Sequence, residues 1–261
     1  MRPVPALITS PATLPLVAAA IHDGHEVRDD LLERLGLDGA GRLREEDPFT
    51  GVWTEVAPTR VVGLRSRFEV DLNRPRGSAV YRKPEDAWGL DLWRGDLPAE
   101  QVERSLGSYD EFYGQVKELF GAMERRFGRF VVLDLHSYNH RRAGPDEEPS
   151  DPQANPEVNV GTGTLDRARW APVVDRFIDD LRRFDYLGRH LDVRENVKFQ
   201  GGEFCRWLHE SFPESACGVA VEFKKFFMDE WTGEPFEEHV EAIGRALTST
   251  VPGLLEGIRQ L

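Results

Sequence analysis

Cysteine is scarce in this chain. Cys205 and Cys217 are the only two in 261 residues and form no CxxC pair. That excludes a thiolate metal site and a disulfide framework, and leaves both as small apolar residues expected in the core. Long apolar runs are missing too. A membrane-spanning helix needs about 18 or more such residues, and the apolar stretch near the start, Leu14 to Ile21, is far shorter. The N-terminus lacks the basic-then-apolar order of a secretory signal, so a soluble cytoplasmic protein with no membrane partner is expected. Positive charge falls short of negative: 33 lysines and arginines stand against 46 aspartates and glutamates, for a formal net charge of −13. Such a balance disfavours nucleic acid and anionic membranes as partners. The tryptophans are too scattered to form a base-stacking platform. Gly161-Thr162-Gly163 is not followed by Lys-Ser or Lys-Thr and so makes no phosphate loop.

What is present is an alternation of short apolar runs with amphipathic stretches. Residues 5–9, 14–21, 60–65, 68–72, 131–135, 158–160 and 217–223 read as strands, the fourth from its alternation of Phe68, Val70 and Leu72 with Glu69 and Asp71. Helical spacing of apolar residues predicts helices over 29–37, 108–127, 169–184, 203–212 and 237–247. Residues 76–104 lack periodicity and are expected to wall a site, while the proline-rich, acidic 143–157 reads as an exposed loop. With no repeat and no internal boundary, the expectation is α/β: a single domain over 1–261, with a mixed, mostly parallel sheet covered by helices on both faces.

Chemistry concentrates at strand ends, where open α/β sheets bind ligands. In Val131 to Arg142, an apolar run gives way to Asp134, His136, Ser137, His140, Arg141 and Arg142. His22 follows the run at 14–21, and Glu222 interrupts the one at 217–223. Two histidines and a carboxylate suit a catalytic divalent ion with a position open for water, which the ion activates for attack on an amide. His22 and His136 supply the nitrogens; Asp47, Glu46, His25 and Glu26 all remain candidates for the third ligand. Glu222, in apolar surroundings, is suited to proton transfer, and Arg67 or Arg74 to holding the developing oxyanion. On so acidic a chain, the basic clusters Arg65/Arg67/Arg74/Arg76, Arg141/Arg142 and Lys224/Lys225 suit a small anionic ligand.

The segments VDLNRP (70–75), LDLHSYNHRR (133–142), FQGGEF (199–204) and VEF (221–223), in that order, resemble the N-formylglutamate amidohydrolase family. That family groups with zinc carboxypeptidases and aspartoacylase-like deacylases, and the resemblance extends over roughly residues 15–230. It implies a zinc-carboxypeptidase-like fold and a zinc ion held by His22, Asp47 and His136. It also implies a substrate carboxylate held by Asn73 and Arg74, carbonyl polarisation by Arg67, catalysis by Glu222 and orientation of His136 by Asp134. The implied substrate is a small anionic N-acyl amino acid, N-formyl-L-glutamate above all, used in histidine degradation by a monomer or homodimer. Three features depart from the pattern: Ile21 replaces the usual proline, His25-Glu26 adds potential ligands, and Lys224-Lys225 follows Glu222. A carboxypeptidase-like peptidase and a non-catalytic carboxylate-binding relative are the alternative readings.

Overall fold

Strands β2 (Leu16–Ala20), β3 (Thr59–Gly63), β4 (Phe130–Tyr138) and β7 (Ala216–Lys224) are almost entirely buried, as runs of aliphatic residues without alternation require when both faces of a sheet are covered. The computed structural model describes residues 6–261; Pro5 of the first expected strand lies outside them. With β1 (Ala6–Thr9), β5 (Val158–Gly161) and β6 (Val193–Glu195), they make one seven-stranded sheet in the order β1-β3-β2-β4-β7-β5-β6. The pairs β2–β3, β2–β4, β4–β7 and β5–β6 are parallel, while β1–β3 and β5–β7 are antiparallel. The chain is therefore an α/β protein with a mixed, mostly parallel sheet.

Helices pack on both faces. On one, α5 (Ala171–Arg183) and α7 (Glu237–Arg259) cover Val131, Leu133 and Leu135 of β4 and Val219 and Val221 of β7. On the other, α4 (Ala99–Phe127) and α6 (Glu203–Ser211) cover Phe130 and Val132. Residue parity along β4 and β7 then puts Asp134, His136 and Glu222 on the α4/α6 side. Among the described residues, no helix is long and apolar enough to cross a membrane.

Several boundaries differ from expectation, each for a local reason. Residues 68–72 form turns, not a strand: Glu69 and Asp71 are as buried as the apolar residues between them, each held by an arginine. Alternation there reflects buried ion pairs and not a solvent face. The helix expected over 29–37 stops as α1 (Asp29–Leu32), because Leu35 and Gly36 bond to the 91–93 stretch. Helix α4 starts nine residues before position 108, and α7 runs past 247 through Pro252 to Arg259. Short α2 (Gly39–Glu45), α3 (Thr50–Trp53) and β6 carry too few residues to show a period.

Strand β4 also continues beyond 135, through His136 to Tyr138, because β7 pairs with it over its full length. β2, its other neighbour, pairs only as far as Asp134. Beyond that point one edge of β4 is open. β2 leads to β3 on one side and has β4 on the other, so this opening lies at the switch point of the sheet, where α/β folds bind ligands.

The core claim is testable with Phe177, fully buried on α5. Phe177→Ala is expected to lower unfolding free energy by about 3–5 kcal/mol in denaturant titration; a loss below 1 kcal/mol contradicts the packing described.

Candidate active site

The register His136↔Glu222 sets the centre of the site by placing the two side chains abreast on one face of adjacent strands. His22 arrives just past the end of β2, its ring centroid 5.0 Å from that of His136. Asp47 comes from the turn after α2, which is tied to the same point by Asp47 N–H donating to the His22 carbonyl at 3.0 Å. One carboxylate oxygen, Asp47 Oδ2, then lies 3.4 Å from His22 Nδ1 and 2.9 Å from His136 Nδ1. Potential ligand atoms of these three buried residues all fall within 4.8 Å of one another.

The opposite ring nitrogens face carboxylates. His22 Nε2 is 2.7 Å from Asp71 Oδ1, and His136 Nε2 is 3.0 Å from Asp134 Oδ1. Two Nδ1 atoms and a carboxylate oxygen converging from three segments, each ring backed by an acid, fit a divalent ion such as zinc. The donor set suits other divalent ions as well. The other candidates for the third ligand point elsewhere: Glu46 bonds to Ser66 and His25, and Glu26 lies exposed. Burial works to raise the Asp47 carboxyl, but His136 and His22 pull it well below the usual range.

Asp71 is the residue that motif reading left without a task. Its wholly buried carboxylate takes His22 Nε2 and Asn73 N–H on one oxygen, Arg67 Nη2 at 2.9 Å and the Tyr81 hydroxyl on the other. Arg74 Nε lies 3.6 Å away. Burial alone would raise this carboxyl; the Arg67 and His22 charges hold it far below. The signal was present in its position inside DLNR, two residues before Asn73.

Glu222 is different. Among the described residues its carboxylate makes no hydrogen bond or ion pair, and it faces a cleft of about 680 Å³ lined also by His22, Asp47, Arg67, Asn73 and Arg74. Burial pushes it up to about 7, with His136 opposing and Asp47 and Asp134 adding to the rise.

The cleft walls come from loops. Trp88 of the 76–98 segment stands 4.8 Å over the Arg67 guanidinium, and Arg74 stacks on Tyr81 at the same distance. Asn73 is fixed by the 199–204 segment: Phe204 N–H donates to Asn73 Oδ1 at 3.0 Å, and a Cβ on Gly202 would stand 2.2 Å from that oxygen. Of the basic clusters, Arg65 turns to Glu69 and Arg76 to Asp110, away from the cleft. His140 and Arg141 donate backbone N–H groups to Glu230, whereas Arg142 lines the cleft, paired with Glu45. Lys224 binds the Asn155 carbonyl. Lys225 is fully buried and donates to the Arg44 and Glu46 carbonyls, clamping the turn that presents Asp47.

A family model for N-formylglutamate amidohydrolase matches residues 14–225. No curated protein sequence matches the chain. Among solved structures, an N-formylglutamate amidohydrolase from Ralstonia eutropha is similar with a TM-score of 0.76 at 19% identity, over 99% of this chain and 100% of that one. A gene product of Agrobacterium tumefaciens is similar at 0.64 and 18% identity, over 95% and 94%. Both share the fold.

Lys225→Met keeps the stem but strips two buried carbonyls of their donor. It is expected to cost about 1–3 kcal/mol of stability, read by thermal or denaturant unfolding; a variant as stable as the parent rules out the clamp.

Proposed function

Because the chain belongs to the N-formylglutamate amidohydrolase family, we propose that it is a zinc-dependent amidohydrolase cleaving N-formyl-L-glutamate, or a related N-acyl amino acid, to the free amino acid and formate or the matching carboxylate. The observation that carries this reading is the pairing of a three-donor cluster, His22, Asp47 and His136, with an unpartnered Glu222 in register beside it. His22, Asp47 and His136 would hold the ion. When bound, a divalent ion supplies Lewis acidity, lowering the pKa of a water and drawing charge from the scissile carbonyl.

The chain's own groups do the rest. Glu222, poised near neutrality by burial, accepts a proton from the attacking water and delivers it to the amide nitrogen. The water oxygen bonds to the acyl carbon, the C–N bond breaks, and the nitrogen leaves as an amine. Arg67, which lines the cleft, is the fixed cation for the oxyanion formed in between. Asn73 and Arg74 hold the substrate α-carboxylate, Arg74 by its guanidinium fork. Asp71 fixes His22 and Arg67 together, and Asp134 backs His136.

Glu222→Gln keeps the shape of the site and removes the base. With metal content unchanged, turnover of N-formyl-L-glutamate is expected to fall by about 10²–10⁴. The acidic limb of the pH–rate profile, where the wild type loses activity as Glu222 takes up a proton, should vanish. Full turnover in this variant removes Glu222 from the mechanism; a wild type that binds no divalent ion and stays inactive after zinc loading sinks the whole reading.

Asp71→Asn leaves His22 without a charged backing and is expected to weaken zinc affinity by about 10–100-fold, measured against a competing chelator. Unaltered affinity would mean that Asp71 has no hold on the ligand.

A further inference from the structure

The cations that line the cleft differ in how they are engaged. Arg67 is paired with Asp71, Arg74 stands beside the same carboxylate, Arg142 is paired with Glu45, and Lys225 is bonded to two carbonyls. Lys198 lines the same cleft, yet its Nζ donates only to the neutral Asn155 carboxamide at 2.5 Å, with no carboxylate paired to it among the described residues. The ammonium sits 5.1 Å from the Tyr138 ring and 5.6 Å from that of Phe199, both of which line the cleft too. The two rings turn their π-faces to the ammonium; burial and then Arg142 lower its pKa, with Glu222 opposing.

The position of Lys198 relative to the α-carboxylate site gives it a meaning. Lys198 precedes the turn Gly201-Gly202, and that turn is pressed onto the Asn73 carboxamide with no room for a side chain at Gly202. A substrate whose α-carboxylate rests on Asn73 and Arg74 therefore lies alongside the 198–202 segment with its amino-acid moiety. The acyl group, by contrast, must reach the donor cluster of His22, Asp47 and His136.

We propose that Lys198 is the specificity residue for the amino-acid side chain, supplying the counter-charge for a second carboxylate and so selecting N-acyl derivatives of acidic amino acids over neutral ones. The inference rests on the amidohydrolase reading above and adds to it the residue that chooses the substrate. A cation with no carboxylate partner in a partly desolvated cleft gains more from an incoming carboxylate, which brings a full opposite charge, than from an isosteric carboxamide, which offers only the kind of neutral acceptor it already has in Asn155.

The test compares N-formyl-L-glutamate with N-formyl-L-glutamine in the zinc-loaded protein. It also measures the binding of both compounds to metal-free protein by calorimetry, which reads the pocket without turnover. The wild type is expected to favour the glutamate derivative in both measurements. Lys198→Met should cut that preference by about five- to tenfold, chiefly by weakening the glutamate derivative, and Lys198→Arg should keep it. Equal losses on both compounds in Lys198→Met would reduce Lys198 to a prop for Asn155 and overturn the proposal. A wild type that hydrolyses both equally would overturn it while leaving the amidohydrolase reading intact. Failure to hydrolyse either compound would strike at that reading, whereas a calorimetric preference lost in Lys198→Met would still support the role of Lys198.

Discussion

A single carboxylate ties the site together. Asp71 joins the imidazole of His22, the Arg67 guanidinium, the Tyr81 hydroxyl and the Asn73 backbone, and it sits wholly out of water. A buried charge is tolerated only when its partners replace the lost hydration, and here those partners are groups that the proposed chemistry needs in place. The orientation of one cleft histidine, the position of one cationic wall and the path of the backbone into Asn73 and Arg74 are thus one geometric decision. Moving any of them uncovers the Asp71 charge, which makes the arrangement rigid before any ligand arrives.

The sheet supplies the space that this cluster surrounds. Because β2 stops pairing at Asp134 while β7 follows β4 to its end, the centre of the sheet opens on one side only. His136 and Glu222 stand on the continuing pair, and His22 stands at the end of the strand that stops. The turn carrying Asp47 must bridge across, and it is held by two anchors: its own N–H on the His22 carbonyl and the Lys225 ammonium on two carbonyls. Lys225 follows Glu222 by three residues, so the residue that leaves the strand of the proposed base also fixes the turn of a proposed ligand.

Much of this was legible in the sequence, and the rest was hidden for physical reasons. Unbroken aliphatic runs gave away the central strands, since nothing polar interrupts a sheet buried on both faces until function requires it. His22, His136 and Glu222 stood out as such interruptions. Asp71 did not, because alternation with Phe68, Val70 and Leu72 mimics the polar face of an edge strand, and only the fold reveals that both faces are buried. Which acidic residue joins the two histidines was equally closed to inspection: Glu46 and Asp47 are neighbours in sequence, and the local turn sends one towards Ser66 and the other towards the histidines. Lys198 was passed over for the opposite reason, since a lone lysine before a glycine pair resembles any solvated surface charge until its cleft is seen.

The same walls bear on the size of what enters. The 76–98 segment brings Trp88 over Arg67 on one side, and the stretch after β4 brings Arg142 onto Glu45 on another. Between them, a cleft of about 680 Å³ falls within the roughly 300–1,000 Å³ typical of small-molecule sites. A peptidase needs an open trough so that a long chain can continue past the scissile bond, whereas a deacylase for single amino acids gains from walls on every side that exclude water and raise the value of each charge inside. In the proposed reading, Arg74 and Lys198 meet the two carboxylates of a compact dianion, which an extended peptide would not supply.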